Sequence, residues 1–323
     1  MSFLCTRRAL REAGVLGINR RNHAYTLRWN PRRSYPRVDD KLLTKRLCAA
    51  AGIPIPQLLA VAAHHFELRA LPAQLAGERS FVLKPARGAM GNGVLVVLDR
   101  DGDRLVRPGG TTMPMSDLQY HAASTISGLY SLGGQPDVAM VEERLEVHPE
   151  LAEIAEHGVP DVRVIVFRGI PVMAMTRLPT RRSGGRANLH QGAVGVGIDL
   201  ARGRTVHALL RSAPVSHHPD TGRPLLDRPI PAFERILEIA VRASDESGLG
   251  YVGADLVVDP RRGPVVLELN ARPGLAVQAA NRAGLLPRLR AVEQAHAPGR
   301  SVVERVGLGR ELARASQREA CSC

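Results

Sequence analysis

The sequence is poor in residues that mark several common protein classes. Only 3% of its 323 residues are aromatic and only four are cysteines, without a CxxC pair or zinc-ligand spacing, which argues against a disulfide framework and a structural zinc site. It contains no run of about 18 apolar residues, and its start, MSFLCTRRALREAG, lacks the apolar stretch of a secretory signal. We therefore expect a cytoplasmic protein that does not span a membrane.

Lysine is almost absent, although the chain is strongly basic. The formal net charge is +13, yet only Lys41, Lys45 and Lys84 among its 44 basic side chains are lysines. The arginines are scattered among Ala, Gly, Leu and Pro, without interleaved aromatics or a recognition-helix motif, so nucleic acid is not the expected partner. Because arginine so strongly predominates over lysine, a position that is still lysine indicates a need for a compact ammonium charge on a flexible stem.

Predicted strand hairpins and flanking helices are mixed along the chain, which is typical of the α+β class. We expect a basic N-terminal segment over residues 1–38 and a small lobe over 39–140. A large lobe is predicted over 141–298 and a loosely held tail over 299–323. The 44% hydrophobic content is sufficient for the cores of two such lobes.

The first candidate site is a lysine followed by a glycine-rich loop, in FVLKPARGAMGNGV (81–94). A predicted strand ends at Lys84, and Gly88, Gly91 and Gly93 would let backbone N–H groups approach an anion closely. This is not a Walker A loop, because the lysine precedes the glycines and no helix follows. A flexible hairpin with an incidental lysine remains the alternative.

The second candidate site lies in GYVGADLVVDPRRGPVVLELNARPG (250–274). Glu268 and Asn270 share a face of one predicted strand because side chains alternate with period 2, and the partner strand can place Asp255 beside them. Two carboxylates and an amide oxygen are hard donors that suit Mg²⁺. The alternative is that all three side chains lie on a solvated face.

Together these motifs, with VEERL (141–145), DVRVIVF (161–167) and RANLHQGA (186–193), resemble the ATP-grasp superfamily. Within it they are most similar to the RimK-like α-L-glutamate ligases, over about residues 39–283. The resemblance implies an α+β ATP-grasp fold, with two lobes holding ATP between them and the glycine-rich hairpin as a mobile lid.

The resemblance also implies the roles of individual residues. These are Lys41, Lys84, Gly88, Gly91 and Gly93 at the nucleotide phosphates, Glu143, Arg144 and Leu145 at the adenine, Asp161 at the ribose, Arg186 and Asn188 near phosphates and metals, and Asp255, Glu268 and Asn270 as magnesium ligands. Two Mg²⁺ ions are expected, and Mn²⁺ can replace them.

The implied activity is that of an ATP-dependent carboxylate–amine ligase. A carboxylate attacks the γ-phosphate, and an amine then displaces phosphate from the acyl phosphate, with glutamate or a similar amino acid as the implied substrate. Arg163, Arg177 and Arg272 are candidate clamps for carboxylates and oxyanions, although any one of so many arginines can be a simple surface residue. The alternative function is a catalytically silent ATP-binding regulatory or scaffolding protein.

The sequence departs from the glutamate ligases at its N-terminus. Only about 40 residues precede Lys41, too few for the domain that those ligases carry there. We expect a partner enzyme, a homo-oligomer or the C-terminal tail to complete the substrate site. Trp29 and Tyr35 are expected to anchor the N-terminal segment to the first lobe.

Overall fold

The computed structural model describes residues 6–88, 91–155, 158–295 and 299–321, and there it confirms the α+β class. The helices are α1 (Arg7–Glu12), α2 (Ile18–Arg20), α3 (Leu27–Trp29), α4 (Pro36–Asp39), α5 (Lys41–Ala50), α6 (Leu71–Gln74), α7 (Met115–Ile126), α8 (Pro149–Ala152), α9 (Phe233–Ser247), α10 (Ala276–Asn281), α11 (Leu286–Gln294) and α12 (Val302–Cys321). The π-helix Arg21–Thr26 joins α2 to α3, and short 3-10 helices occupy Arg32–Ser34, His65–Ala70, Leu132–Gly134 and Leu189–Gln191.

The strands are β1 (Leu58–Ala62), β2 (Phe81–Pro85), β3 (Leu95–Val97), β4 (Asp99–Asp101), β5 (Arg104–Val106), β6 (Thr112–Pro114), β7 (Ala139–Glu143), β8 (Asp161–Phe167), β9 (Ile170–Leu178), β10 (Val194–Asp199), β11 (Arg204–Leu210), β12 (Ala213–Pro214), β13 (Tyr251–Asp259) and β14 (Gly263–Asn270). In the part of the chain that is described, every named strand pair is antiparallel. Most of these pairs join strands that are consecutive in the chain, whereas β1–β7, β2–β7 and β8–β13 join strands far apart in the sequence.

The chain divides into two compact units. The small unit contains residues 40–46 and 55–145, and the large unit contains the described residues of 1–39, 47–54 and 146–323. The N-terminal segment thus belongs to the same unit as the C-terminal half of the chain. The boundary between the lobes, predicted after residue 140, lies after residue 145.

The small unit has a four-stranded sheet in the order β1-β7-β2-β3 and a three-stranded sheet β4-β5-β6. Its core contains Phe81, Leu83 and Leu118, all with no exposed surface. Helix α7 ends because Gly128 adopts a positive φ of 85°, where an added Cβ would come within 2.5 Å of the Gln135 carbonyl oxygen.

The large unit has a seven-stranded sheet in the order β12-β11-β10-β9-β8-β13-β14. Strands β8 and β13 are buried along their whole lengths, because they lie inside the sheet and are covered on both faces. Helix α9 packs on β13 and β14 with an apolar face that includes Ile236, Leu237 and Ala240. This face follows the helical spacing that the sequence shows.

The N-terminal segment is ordered on the large unit, whereas the sequence predicted an irregular lead-in attached to the first lobe. Trp29 packs edge-on against Phe167 with ring centroids 5.7 Å apart. Its carbonyl oxygen accepts a hydrogen bond from the Gly250 N–H at 2.9 Å. Gly250 is required there, since an added Cβ would lie 2.9 Å from that same oxygen.

The expectation of a loosely held C-terminal tail is wrong for the described residues. They form helix α12, which packs on β9 and α9. Val306 and Ala313 are buried, and Arg305 makes a bidentate ion pair with Asp245, at 2.7 and 2.6 Å. No described helix is both long and apolar enough to cross a membrane.

Candidate active site

Two neighbouring strands of the large unit bring the predicted magnesium ligands together, and a third strand adds an arginine. Glu268 on β14 and Arg163 on β8 are the direct cross-strand partners of Asp255 on β13. Directly opposed residues of antiparallel strands share a face. Asn270 completes the group, because its Nδ2 lies 3.3 Å from Asp255 Oδ2 and 3.3 Å from Glu268 Oε1.

Two arginines surround Asp255, which has no exposed surface. Arg163 donates from Nε to Oδ1 at 2.6 Å and from Nη2 to Oδ2 at 2.5 Å. Arg177 donates to the same Oδ2 at 2.7 Å and also makes a bidentate ion pair with Asp161, its cross-strand partner. The four side chains therefore form one buried network of alternating charge, in which each guanidinium fork matches a carboxylate.

The charges in this network set the protonation of its acids. Burial raises the pKa of Asp161 to about 6, although Arg177 opposes this change. Burial also acts to raise the pKa of Asp255, but Arg163 and Arg177 outweigh it and hold that pKa below its usual range. Asp255 is therefore a carboxylate at neutral pH.

The donor set of Asp255, Glu268 and Asn270 fits a magnesium ion by its chemistry. All three side chains carry oxygen donors, the Asn270 amide group lies within hydrogen-bond range of both carboxylates, and Glu268 and Asn270 are only half-buried. Turning the Asn270 amide about its last bond would present its oxygen to the carboxylates in place of its nitrogen. The described residues form no group of three or more His, Cys, Asp or Glu side chains that could bind a metal, so the amide is needed.

The small unit collects all three lysines of the chain around one strand pair. Lys84 on β2 and Lys45 on α5 both contact the buried carboxylate of Glu142 on β7, at 2.6 and 2.8 Å. The Nζ of Lys41 donates to the Gly88 carbonyl oxygen at 2.5 Å. Helix α5 places Lys41 and Lys45 one turn apart on the same side.

The glycine-rich loop joins two antiparallel strands, as the sequence predicts, with Leu83 of β2 opposite Leu95 of β3. Gly91 and Gly93 have positive φ angles of 75° and 73°, which favour glycine. A Cβ at Gly93 would also collide with the Tyr130 ring at 2.5 Å.

The segment predicted to bind the adenine lies at the end of β7. The Glu143 carboxylate accepts a hydrogen bond from the Gln57 backbone N–H at 2.7 Å, and Leu145 is buried. The Nε of Arg144 is buried without a hydrogen-bond partner among the described residues. Adenine binding by these residues remains a prediction.

Three other predicted nucleotide contacts lie in the large unit, and two of them have local partners there. Asp161 is bound to Arg177, as described above. The side chain of Asn188 accepts a hydrogen bond from the His190 N–H at 3.0 Å and caps the 3-10 helix Leu189–Gln191. Arg186 is exposed. The nucleotide roles of these side chains remain predictions.

Sequence reasoning missed Glu142 and Lys45 as members of the lysine cluster. The rarity of lysine was a usable signal, because Lys45 is the third of only three. It also missed Arg21, a buried arginine whose Nη1 donates to the Pro273 carbonyl oxygen at 2.8 Å. No local motif marks Arg21, since its partner lies far away in the sequence.

Residues 20–294 match the family model of the sugar-transfer associated ATP-grasp proteins, which covers most of the chain. The chain belongs to this family. The prediction of an ATP-grasp protein is thereby confirmed. The match does not test the more specific resemblance to the RimK-like glutamate ligases. No curated protein matches the sequence.

Solved structures of ATP-grasp ligases are similar to this sugar-transfer associated ATP-grasp protein at low identity. The ligase PsnB with its minimal precursor is 16% identical, with a TM-score of 0.43 over 83% of this chain and 62% of that one. D-alanine–D-alanine ligase from Bacillus anthracis is 14% identical, with a TM-score of 0.44 over 89% and 71%. The same enzyme from Coxiella burnetii is 15% identical, with 0.41 over 90% and 62%. This chain thus spans less than two thirds of the length of PsnB.

The matched range of the ATP-grasp protein begins within the N-terminal segment. It includes Arg21, Trp29 and Asn30 as well as the strands that carry Asp255 and Glu268. Residues 20–38 of the N-terminal segment and the acidic cluster therefore both lie within the range that matches the family.

Proposed function

We propose that this protein is an ATP- and Mg²⁺-dependent carboxylate–amine ligase that forms an amide bond. The observation that carries the proposal is the convergence of Asp255, Glu268 and Asn270, with Arg163 bound to Asp255 across neighbouring strands. A set of oxygen donors flanked by arginines suits a metal-bound triphosphate and the anionic groups that react with it. Membership of an ATP-grasp family supports the same conclusion.

The proposed reaction has two balanced steps. A carboxylate oxygen of the first substrate attacks the γ-phosphorus of ATP, and the bond to the β,γ-bridging oxygen breaks, which gives an acyl phosphate and ADP. An amine nitrogen of the second substrate then attacks the acyl carbon, loses a proton and expels inorganic phosphate. When bound, Mg²⁺ supplies charge neutralisation at the β- and γ-phosphates.

The protein's own side chains have separate roles in this proposal. Lys41 and Lys84 bind phosphate oxygens, and the Glu142 carboxylate holds the ammonium group of Lys84 in place. Arg163 keeps Asp255 ionised and oriented as a metal ligand. Arg177 also orients Asp255, through its Nη2.

Glutamate or a similar amino acid is the proposed substrate, by resemblance to the RimK-like ligases. The family description links relatives to sugar transfer. We therefore include amine-bearing sugars among the candidate acceptors and carboxylate-bearing sugars among the candidates for the activated carboxylate. The product would be an amide between an amino acid and such a sugar.

Product analysis tests this proposal. The protein is incubated with ATP, Mg²⁺ and pooled amino acids, acidic peptides, amino sugars and uronic acids, and ADP and new masses are measured. We expect ADP release that depends on a substrate pair, and hydroxylamine should trap the acyl phosphate as a hydroxamate. ATP binding without ADP release across the whole pool would contradict the proposal and favour a silent ATP-binding regulatory or scaffolding protein.

A further inference from the structure

The N-terminal segment holds the loop that follows the predicted magnesium ligand Asn270. Asn30 is 3% exposed and donates from Nδ2 to the Ala271 carbonyl oxygen at 3.1 Å. Arg21, 8% exposed, donates from Nη1 to the Pro273 carbonyl oxygen at 2.8 Å. The residues on both sides of Arg272 are therefore fixed by the N-terminal segment.

Arg272 projects from this fixed stretch and is exposed. Its guanidinium carbon lies 5.0 Å from the centre of the Tyr35 ring, in the geometry of a cation–π contact. Tyr35 also comes from the N-terminal segment. The segment thus determines both the backbone position and the side-chain direction of Arg272.

Arg21 and Arg272 lack an acidic partner within the described part of the chain. Among the described residues, neither arginine takes part in an ion pair. The Nε of Arg21 is buried and has no hydrogen-bond partner there. An unpaired buried cation is costly, because it loses hydration without gaining a counter-ion.

The surroundings of Arg21 make its positive charge less favourable. Burial lowers the pKa of Arg21, and the positive charge of Arg272 acts in the same direction. Arg21 also begins the π-helix Arg21–Thr26, a rare backbone form that is frequent at functional sites. Two guanidinium groups whose charges lie close enough to interact, with no carboxylate partner among the described residues, form a site that an anion would complete.

We propose that Arg21 and Arg272 bind the carboxylate of a substrate of the ligase reaction, with Tyr35 holding Arg272 in position. The substrate class is a carboxylate-bearing small molecule such as an amino acid, a short acidic peptide or a uronic acid. This inference rests on the proposed function and assigns part of the substrate site to the N-terminal segment. The lysine cluster of the small unit supplies cations for the ATP phosphates, which leaves these two arginines for a carboxylate.

The test measures binding of carboxylate probes to the full chain. Thermal unfolding is followed with Mg²⁺ and a non-hydrolysable ATP analogue, while glutamate, glutarate, acetate or glucuronate is titrated against sodium chloride of equal ionic strength. We expect at least one carboxylate to raise the melting temperature in a saturable way. Arg272→Gln and Arg21→Gln should raise the dissociation constant of that probe at least tenfold.

Two further variants separate a binding role from a folding role. Arg33→Gln removes the same charge from an exposed position of the segment and should bind the probe as the native chain does. If Arg21→Gln fails to fold, Arg21→Lys keeps the charge but not the fork, and should still weaken the probe severalfold. Tyr35→Phe should bind normally, because the aromatic face is kept, whereas Tyr35→Ala should not.

The outcomes distinguish this inference from the proposed function. Absence of ATP-analogue binding by the native chain would contradict the ligase proposal itself. If the analogue binds, the inference is overturned when no carboxylate stabilises the chain beyond sodium chloride. It is also overturned when Arg272→Gln responds to the probe as the native chain does. Loss of affinity for the ATP analogue alone would assign the two arginines to phosphate instead.

Discussion

Arg163 and Asp255 form a buried bidentate ion pair across neighbouring strands, with donor–acceptor distances of 2.6 and 2.5 Å. Asp255 is a predicted metal ligand, and this ion pair also gives its carboxylate a structural role in the large unit. Arg177 binds the same carboxylate. Removal of the negative charge of Asp255 would therefore leave two buried guanidinium groups without their shared counter-ion. The pair therefore links the stability of the sheet to the chemistry of the site.

This relationship predicts different consequences for two neighbouring acids. Asp255→Asn should lower the free energy of unfolding by about 3–5 kcal/mol, because it leaves buried charges unpaired. Glu268→Gln, at a half-buried position that makes no direct arginine ion pair among the described residues, should lower it by less than about 1 kcal/mol. Both variants should lose Mg²⁺-dependent ADP formation. Urea denaturation and an ADP assay measure the two effects.

An exposed ion pair provides the matched control. Asp227→Asn makes the same substitution in a carboxylate whose side chain is 69% exposed and which pairs with Arg204. Exposed pairs contribute about 0–1 kcal/mol, so this variant should remain close to the native stability. Equal stability losses in Asp227→Asn and Asp255→Asn would contradict the structural role of Asp255.

The lysine cluster leads to a second prediction. Glu142 is 2% exposed and is shared by Lys45 and Lys84. Glu142→Gln should lower the free energy of unfolding by about 3–5 kcal/mol, because two largely buried ammonium groups lose their common anion. Glu143→Gln is the control at the next position of β7. Its carboxylate is half-buried, so we expect a loss of only about 1 kcal/mol in chemical denaturation.

If Glu142→Gln is no less stable than Glu143→Gln, the buried cluster does not depend on its acid. Nucleotide binding gives an independent readout. Lys84→Met should raise the dissociation constant of Mg–ATP at least tenfold, because an ammonium group at the phosphates is lost. Unchanged affinity would remove Lys84 from the nucleotide site.

The sequence predicted the acidic cluster because alternation within a hairpin is a local property. Glu268 and Asn270 are two residues apart, and the hairpin partner Asp255 follows from a short connection. The contact of Arg177 with Asp255 depends on the order and register of three strands, which no local pattern encodes. The Lys45–Glu142 pair likewise joins a helix to a strand far along the chain.

Helix α12 shows how tertiary packing overrides local preference. Two glycines and several β-branched valines lower the intrinsic helix propensity of its first half. Val306 and Ala313 bury against the large unit, and this burial stabilises the helix. The N-terminal segment was misjudged for the same reason, since its partners are supplied by β13 and the residues after β14.

A third prediction concerns the attachment of the N-terminal segment. Asn30 donates to the Tyr251 carbonyl oxygen at 2.7 Å and accepts from the Tyr251 N–H at 2.8 Å. Asn30→Ala should lower the free energy of unfolding by about 2–4 kcal/mol, because buried backbone groups lose their partners. Asn19→Ala, at an exposed position, should change it by less than about 0.5 kcal/mol. Similar values for the two variants would show that the segment is not held through Asn30.

The fourth prediction is a pair of identical substitutions with opposite effects in helix α12. A Cβ at Gly307 meets no atom within 4 Å, so Gly307→Ala should raise the free energy of unfolding by about 0.5–1 kcal/mol through its higher helix propensity. A Cβ at Gly309 would lie 2.4 Å from the Pro171 carbonyl oxygen on β9. Gly309→Ala should therefore push the helix from the sheet and lower the stability by about 1–3 kcal/mol. Thermal unfolding of the two variants checks the sign, and stabilisation by Gly309→Ala would show that α12 does not pack closely on β9.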